Sequence, residues 1–258
     1  MLLRWFPVYR REIKTYLQSP GVYVVTSFFF GLAGLFFFQL LWRFVQVSQN
    51  YQLRYQFGLE KINVTEIVIS TTFDLLNSLM LFAMPILTMR LISEEKKLGT
   101  FELLATMPLR DWDILLGKFF ACMTVAGFLL ALCLIFPGVV MKYGQPEVPV
   151  IVACYVGLFL IVMAYSAFGL FASSLTESQI AASIITFSGL LFFYLVGNLA
   201  LAETGTLAAI LKSLSVLQHS EKFTKGVINL PDVLYFGLFT LFFLMMTAKV
   251  LEARRWRV

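Results

Sequence analysis

"VPVIVACYVGLFLIVMAYSAFGLFASSLT", residues 148–176, contains no charged side chain. A helix needs roughly 20 apolar residues to cross ~30 Å of hydrocarbon, so this stretch is long enough to span a membrane. On its N-terminal side, "KYGQPEVP" (142–149) reads as a tight turn, with Gly144, Pro146 and Pro149 as breakers. On its C-terminal side, "LTES" (175–178) is a very short turn before a second uncharged run, Ser178 to Ala202. Gly21 to Trp42 and Phe119 to Met141 are also free of charge. Hydrocarbon offers no partners to peptide groups, and helices satisfy their own. The chain is therefore expected to be an all-α integral membrane bundle.

Composition agrees. The 258 residues are 59% hydrophobic and 14% charged, with 27 Phe, against about 25% charged residues in a soluble domain. Two weaker spans complete the set. Ile67 to Leu91 holds Asp74, which costs about 2.5–3.5 kcal/mol at a helix centre, but Leu, Phe, Met and Ile surround it. Val233 to Ala248 is short, and Lys249 extends it by snorkelling. The expected organisation is a single domain, 1–258, with spans at 21–44, 67–91, 112–142, 149–174, 179–201 and 232–252.

Six spans put both termini on one side. That side receives most of the 20 basic residues, including Arg4, Arg10, Arg11, Lys14, Arg90, Lys96, Lys97, Arg110, Lys118, Lys249, Arg254, Arg255 and Arg257. The positive-inside rule makes it the cytoplasmic side. Orientation accounts for the net charge of +5, so no nucleic-acid partner is required. Residues 1–18 carry too many charges for a cleavable signal peptide. Cys122, Cys133 and Cys154 fall within spans, outside any CxxC pair, and read as small buried residues.

Residues 4–18 form a short basic amphipathic segment ahead of Ser19–Pro20–Gly21. Tyr9, Ile13, Tyr16 and Leu17 are expected on one side, and Arg10, Arg11, Lys14 and Gln18 on the other. It reads as a helix lying in the interface or as a basic tail that enforces topology. Residues 45–66 are polar and expected outside. The external segment 202–231 has helical spacing in Leu207, Ile210, Leu211, Leu214 and Leu217; it lies on the outer interface or dips back into it.

Catalytic and metal sites are not legible. His219 is the single histidine and reads as a plain surface or interface residue; there is no HExxH. Gly117–Lys118 is followed by Phe119, and Trp112 stands where a P-loop would have its first Gly, so no nucleotide site is formed. The intramembrane polar candidates are Asp74 and Asn77, three apart in span two, and Asn198 near the end of span five. They serve function, or they simply bond water or a neighbouring helix. Gly169 with Ser173, and Ala182 with Thr186, are small pairs that let helices approach.

Residues 90–119 interrupt the apolar pattern. Span two is expected to continue as a helix through "SEEKKL", with Gly99 stopping it in the left-handed conformation. Thr100 is expected to cap a short helix, "FELLATM", Pro108 to limit it, and Asp111 to cap span three. The apolar stripe with acidic neighbours fits a groove on another protein; an interfacial turn is the alternative.

At these residues the sequence resembles ABC-2 type permeases. "SEEKKLGTFELLATMPLRDWDILLGKF" (93–119) is similar to their E-E-x-x-x-G-T-x-E-L-L-x-T-x-P element followed by W-x-I-x-x-G-K-F/Y. "VYRREIKTYLQSPGVYVV" (8–25) resembles their N-terminal connecting helix and first span, and "GLFASSLTESQIAA" (169–182) their four-to-five turn. "LSVLQHSEKFTKGVINLPDVLYF" (214–236) and "VLEARRW" (250–256) resemble the gliding-motility-type subgroup. Glu177 departs from the pattern, where a basic or neutral residue is expected.

The resemblance implies a type V exporter-like fold, with residues 4–18 as connecting helix and 92–111 as the coupling-helix region. It implies a permease without catalysis of its own, paired with a second permease copy over two ABC ATPase subunits that bind ATP and Mg. It further implies a bacterial cytoplasmic (inner) membrane location, and for this subgroup an auxiliary membrane protein with an extracytoplasmic domain. Glu94, Glu95, Gly99, Thr100, Phe101, Glu102, Leu103 and Leu104 are the implied ATPase-coupling residues, with Arg10, Arg11 and Lys14 on the connecting helix. A mechanotransmission subunit, relaying ATPase motion without moving solute, is the alternative reading. No metal is implied in this chain.

Overall fold

The computed structural model describes residues 5–54, 64–99, 110–199 and 206–255. Among these, every regular element is helical, and six helices are long and apolar enough to cross a membrane. α1 (Phe6–Gln18) begins with Pro7 in its first turn and ends at Ser19, whose extended backbone precedes Pro20. α2 (Pro20–Arg54) is span one. It runs well past Phe44, where the sequence turns polar and a loop was expected. At 1.5 Å per residue it is about 50 Å long, and its last turns project beyond any bilayer-thick slab. Gln, Leu and Arg are good helix formers, so loss of hydropathy marked the end of the apolar stretch and not the end of the helix.

A π-helical turn, Thr65–Ser70, leads into α3 (Thr71–Thr88), span two. The continuous helix expected through residue 98 breaks at 89–92, and a separate short helix, α4 (Ser93–Lys97), follows. Span three is α5 (Asp111–Cys133) continued by α6 (Ile135–Tyr143). Its N-cap is Arg110, one position before the expected Asp111. The Arg110 amide donates to Asp113 Oδ2 at 3.3 Å. Spans four, five and six are α7 (Val148–Leu175), α8 (Gln179–Leu199) and α11 (Leu230–Arg255). Between the last two lie α9 (Thr206–Leu214) and α10 (Val216–Thr224).

α7 is the centre of the bundle, in contact with α3, α5, α8, α10 and α11. Its buried side includes Ala153, Ile161, Ala164, Tyr165, Ala167, Leu170 and Ala172. Small residues let the neighbours close in, the packing mode that serves where lipid removes the hydrophobic drive. A Cβ at Gly169 would collide with Thr88 of α3. Ser173, Ala182 and Thr186 are all fully buried.

The segment between spans five and six, expected outside, packs into the bundle through α10. Along α10, Val216, Ser220 and Phe223 are fully buried, at i, i+4 and i+7, while Ile210 and Leu214 of α9 stay exposed. Phe223 sits on Gly157 of α7, where an added Cβ would lie 2.6 Å from its ring. The start of α11 holds this pair of helices. Asp232, fully buried, accepts from His219 Nδ1 at 2.6 Å and from Lys222 Nζ at 2.9 Å. The His219 ring stacks on Tyr235 at 4.1 Å between centroids. His219, expected as a plain surface or interface residue, is therefore a structural partner; its only sequence signal was an Asp thirteen residues on, across a helix boundary.

Candidate functional site

On the side of the bundle that carries Trp5 and Arg255, three chain segments meet around one cation. α1 was expected to place Tyr9, Ile13, Tyr16 and Leu17 on one side. Tyr16 is buried and Tyr9 and Ile13 pack against the core, but Leu17 is exposed, and the buried stripe is Val8, Glu12 and Tyr16, with a carboxylate in the middle. An acid on a buried face requires a partner, and Lys118 of α5 supplies it. Lys118 is itself 2% exposed. Its ammonium has three protons to place, and three acceptors surround it: Glu12 Oε1 at 2.8 Å, Glu95 Oε2 at 2.9 Å and the Leu91 carbonyl at 2.6 Å. Glu95 also meets Arg11 Nη2 through its other oxygen at 3.4 Å. The node thus ties α1, the 89–92 turn with α4, and the start of α5.

Local chemistry explains how α1 reaches this place. Gly117 precedes the lysine, and a Cβ there would lie 2.8 Å from Val8 Cβ and 2.9 Å from the Trp5 carbonyl. The absent side chain lets α1 lie directly on α5. Trp5 packs on Phe120 at 5.2 Å, and the Tyr9 and Thr124 hydroxyls are 3.1 Å apart. At the far end of α1, the Tyr16 hydroxyl donates to the Leu87 carbonyl at 2.8 Å. Burial, with Cys122 and Glu12 nearby, holds its pKa well above the ordinary phenol value, so it remains a donor.

α4 is anchored by span four. Ser173 Oγ accepts the Ile92 and Ser93 amides, each at 3.0 Å, and donates to the Met89 carbonyl at 3.1 Å. This hydroxyl, from a distant part of the chain, caps α4 and satisfies the backbone where span two breaks. Lys96 Nζ donates to the Ser174 carbonyl. Gly99 follows α4 with φ of +68°, the left-handed stop expected of it. Among the described residues nothing lies within 4 Å of a Cβ built there; the left-handed backbone is what calls for glycine.

The other sequence candidates divide. Glu94 is half-exposed, 4.0 Å from Arg90, a surface pair of small energetic weight. Arg10 and Lys14 are exposed on α1. Thr100, Phe101, Glu102, Leu103 and Leu104, and the cap expected at Thr100, lie outside the described residues. Asp74 and Asn77, expected on one face of span two, part company. Asp74 is exposed, whereas Asn77 is fully buried and accepts from the Tyr165 hydroxyl at 3.3 Å. Asn198 is exposed. None of these three joins the node; Asn77 lies roughly 20 Å along the chain's helical path from Leu91. Glu12, Lys118 and Ser173 were missed as site residues. Glu12 interrupts a buried stripe, and that was the available signal.

The model of the ABC-2 family transporter proteins matches residues 6–228. The chain belongs to the ABC-2 transporter family. No curated protein matches it. Membership of the ABC-2 family makes the chain a membrane subunit of a transporter and not the nucleotide-binding one, and the node lies within the matched region. It contains no reacting group: an ammonium and a guanidinium are balanced by two carboxylates, and the arrangement fixes helices relative to one another.

Proposed function

We propose that this ABC-2 chain is the permease subunit of an ATP-binding cassette complex, and that it couples ATP hydrolysis by a separate ATPase to movement of a substrate across a bacterial cytoplasmic membrane. Both termini face the cytoplasm in this reading, two ATPase copies bind beneath a pair of permease chains, and residues 92–111 receive their motion. The observation that carries it is the buried node. α4 ends at Lys97, three residues before Thr100 in sequence, and it is gripped by Lys118 through Glu95 and by span four through Ser173 and Ser174. A push on 100–109 therefore reaches α1, span three and span four together. Breaking a buried ion pair by removing one partner costs about 3–5 kcal/mol, stiff enough to carry a displacement without letting go.

The test is to co-purify the complex and compare its ATP hydrolysis, with and without Glu102→Lys. The proposal expects weaker retention of the ATPase or loss of its stimulation, with the bundle still folded. Unchanged retention and unchanged stimulation would count against it. The subgroup's auxiliary protein, expected on the α9–α10 side, is tested by the same purification. If the complex hydrolyses ATP and shifts an extracytoplasmic partner while moving no solute, the mechanotransmission reading replaces export.

A further inference from the structure

A slot of about 540 Å³ opens on the outer surface of the bundle between α2 and α3. Its walls are apolar: Val24, Phe28 and Leu32 from span one face Leu79, Phe82 and Ile86 from span two. Val24 and Phe28 are among the most exposed large side chains, at 68% and 67%, and Phe82 is 59% exposed. These residues lie on helices long and apolar enough to cross a membrane, so in a bilayer their outward side meets hydrocarbon unless protein covers it. The volume is within the range of sites that hold a small molecule.

One end of the slot is charged. Leu79, Phe82 and Ile86 follow one another at three- and four-residue steps along α3, and Arg90 lies in the 89–92 turn just past the end of that helix. Its guanidinium reaches across to Ser19 Oγ, immediately before α2 begins. It thus sits over the mouth between the two helices. Arg90 remains 42% exposed, and among the described residues its ion-pair partner is Glu94, at 4.0 Å. Tyr23, exposed and bonded through its hydroxyl to the Leu17 carbonyl, marks the same level as an interfacial aromatic. Arg10, Arg11 and Lys14 of the neighbouring α1 add positive charge on that side.

An apolar slot in the hydrocarbon with a planar, multi-donor cation at its polar end matches one ligand class. Guanidinium pairs with a phosphate through parallel N–H···O bonds, and an acyl chain fills the slot. We propose that the α2–α3 slot with Arg90 and Ser19 is a binding site for one anionic phospholipid, drawn from the leaflet on the side of the termini. Charge complementarity decides against a neutral lipid, and the exposed guanidinium at the mouth decides against a second copy's apolar helix as the resident. The inference stands apart from the proposed coupling to an ATPase.

The experiment is native mass spectrometry of the full chain with added dioleoyl phosphatidylglycerol or dioleoyl phosphatidylcholine. One tightly retained phosphatidylglycerol is expected, preferred about fivefold over phosphatidylcholine, the factor that one surface cation gives toward an anionic lipid. Arg90→Gln should abolish the preference, Arg90→Lys should keep most of it, and Ile86→Trp should lower retention of both lipids. Equal retention of the two lipids by the wild type, or a preference that survives Arg90→Gln, overturns the proposal. So does a disulfide between two copies through Phe28→Cys in native membranes, which would show that protein covers the slot.

Discussion

Replacing Lys118 with methionine removes the cation at the centre of the node while keeping a side chain of similar length. Glu12 and Glu95 would then face a buried space with no ammonium between them, and the Leu91 carbonyl would lose its donor at 2.6 Å. Arg11 remains near Glu95, but at 3.4 Å and from a side chain that is 56% exposed. Orphaning one side of a buried pair costs about 3–5 kcal/mol. At roughly 2–4 °C per kcal/mol for a chain of this size, the midpoint of unfolding should fall by about 6–20 °C. The assay is a thermal melt of the purified chain in detergent, read by size-exclusion monodispersity after heating. A control separates charge from packing. Lys118→Met combined with Glu12→Gln and Glu95→Gln removes all three charges and should recover most of the loss, because a buried pair is worth little against neutral groups of similar volume. A midpoint within about 2 °C of wild type for Lys118→Met alone would refute the reasoning. So would a triple variant no more stable than the single one.

Three further outcomes follow from separate contacts. Ser173→Ala strips the acceptor from two buried amides and should cost about 1–3 kcal/mol, seen as faster hydrogen exchange at residues 92–97 than at the centre of α7. Gly117→Ala places a methyl against Val8 and the Trp5 carbonyl; overpacking of this kind costs about 1–3 kcal/mol, and a cysteine scan should find the buried face of α1 newly reactive. Phe223→Ala empties the fully buried position on Gly157 and should cost about 3–5 kcal/mol, with proteolysis between residues 199 and 230 rising before the spans are attacked.

Much of the architecture was legible because a bilayer forces long apolar runs, and such runs leave few alternatives. The stop at Gly99 was legible for a local reason: φ of +68° suits a residue without a Cβ. The features that escaped are the ones set by partners distant in sequence. Span two breaks at 89–92 because Ser173, more than 80 residues away, takes over the freed amides. Lys118 read as one more basic residue flanking a loop, since nothing near it in sequence shows that Glu12 and Glu95 converge on it. On α1 the apolar spacing of Tyr9, Ile13 and Tyr16 marked the side that meets the core, but not Val8 and Glu12 beside it, because a paired carboxylate is polar in sequence and buried in the fold. α2 outran its apolar stretch because hydropathy reports the bilayer and not the hydrogen-bonded helix. The split of Asp74 from Asn77 has a simpler cause: a three-residue step turns a helix by 300°, enough to straddle the edge of a buried face.

The central claim is the proposal that residues 92–111 form the contact through which an ATPase moves this bundle. A photo-crosslinking side chain at Phe101, compared with one at Tyr143 at the far end of span three from Arg110, tests it most directly in native membranes that contain the ABC ATPase. The account predicts that position 101 captures the ATPase and that position 143, 82% exposed, does not. Capture of the ATPase from 143, or none from 101 in a complex that still hydrolyses ATP, contradicts it.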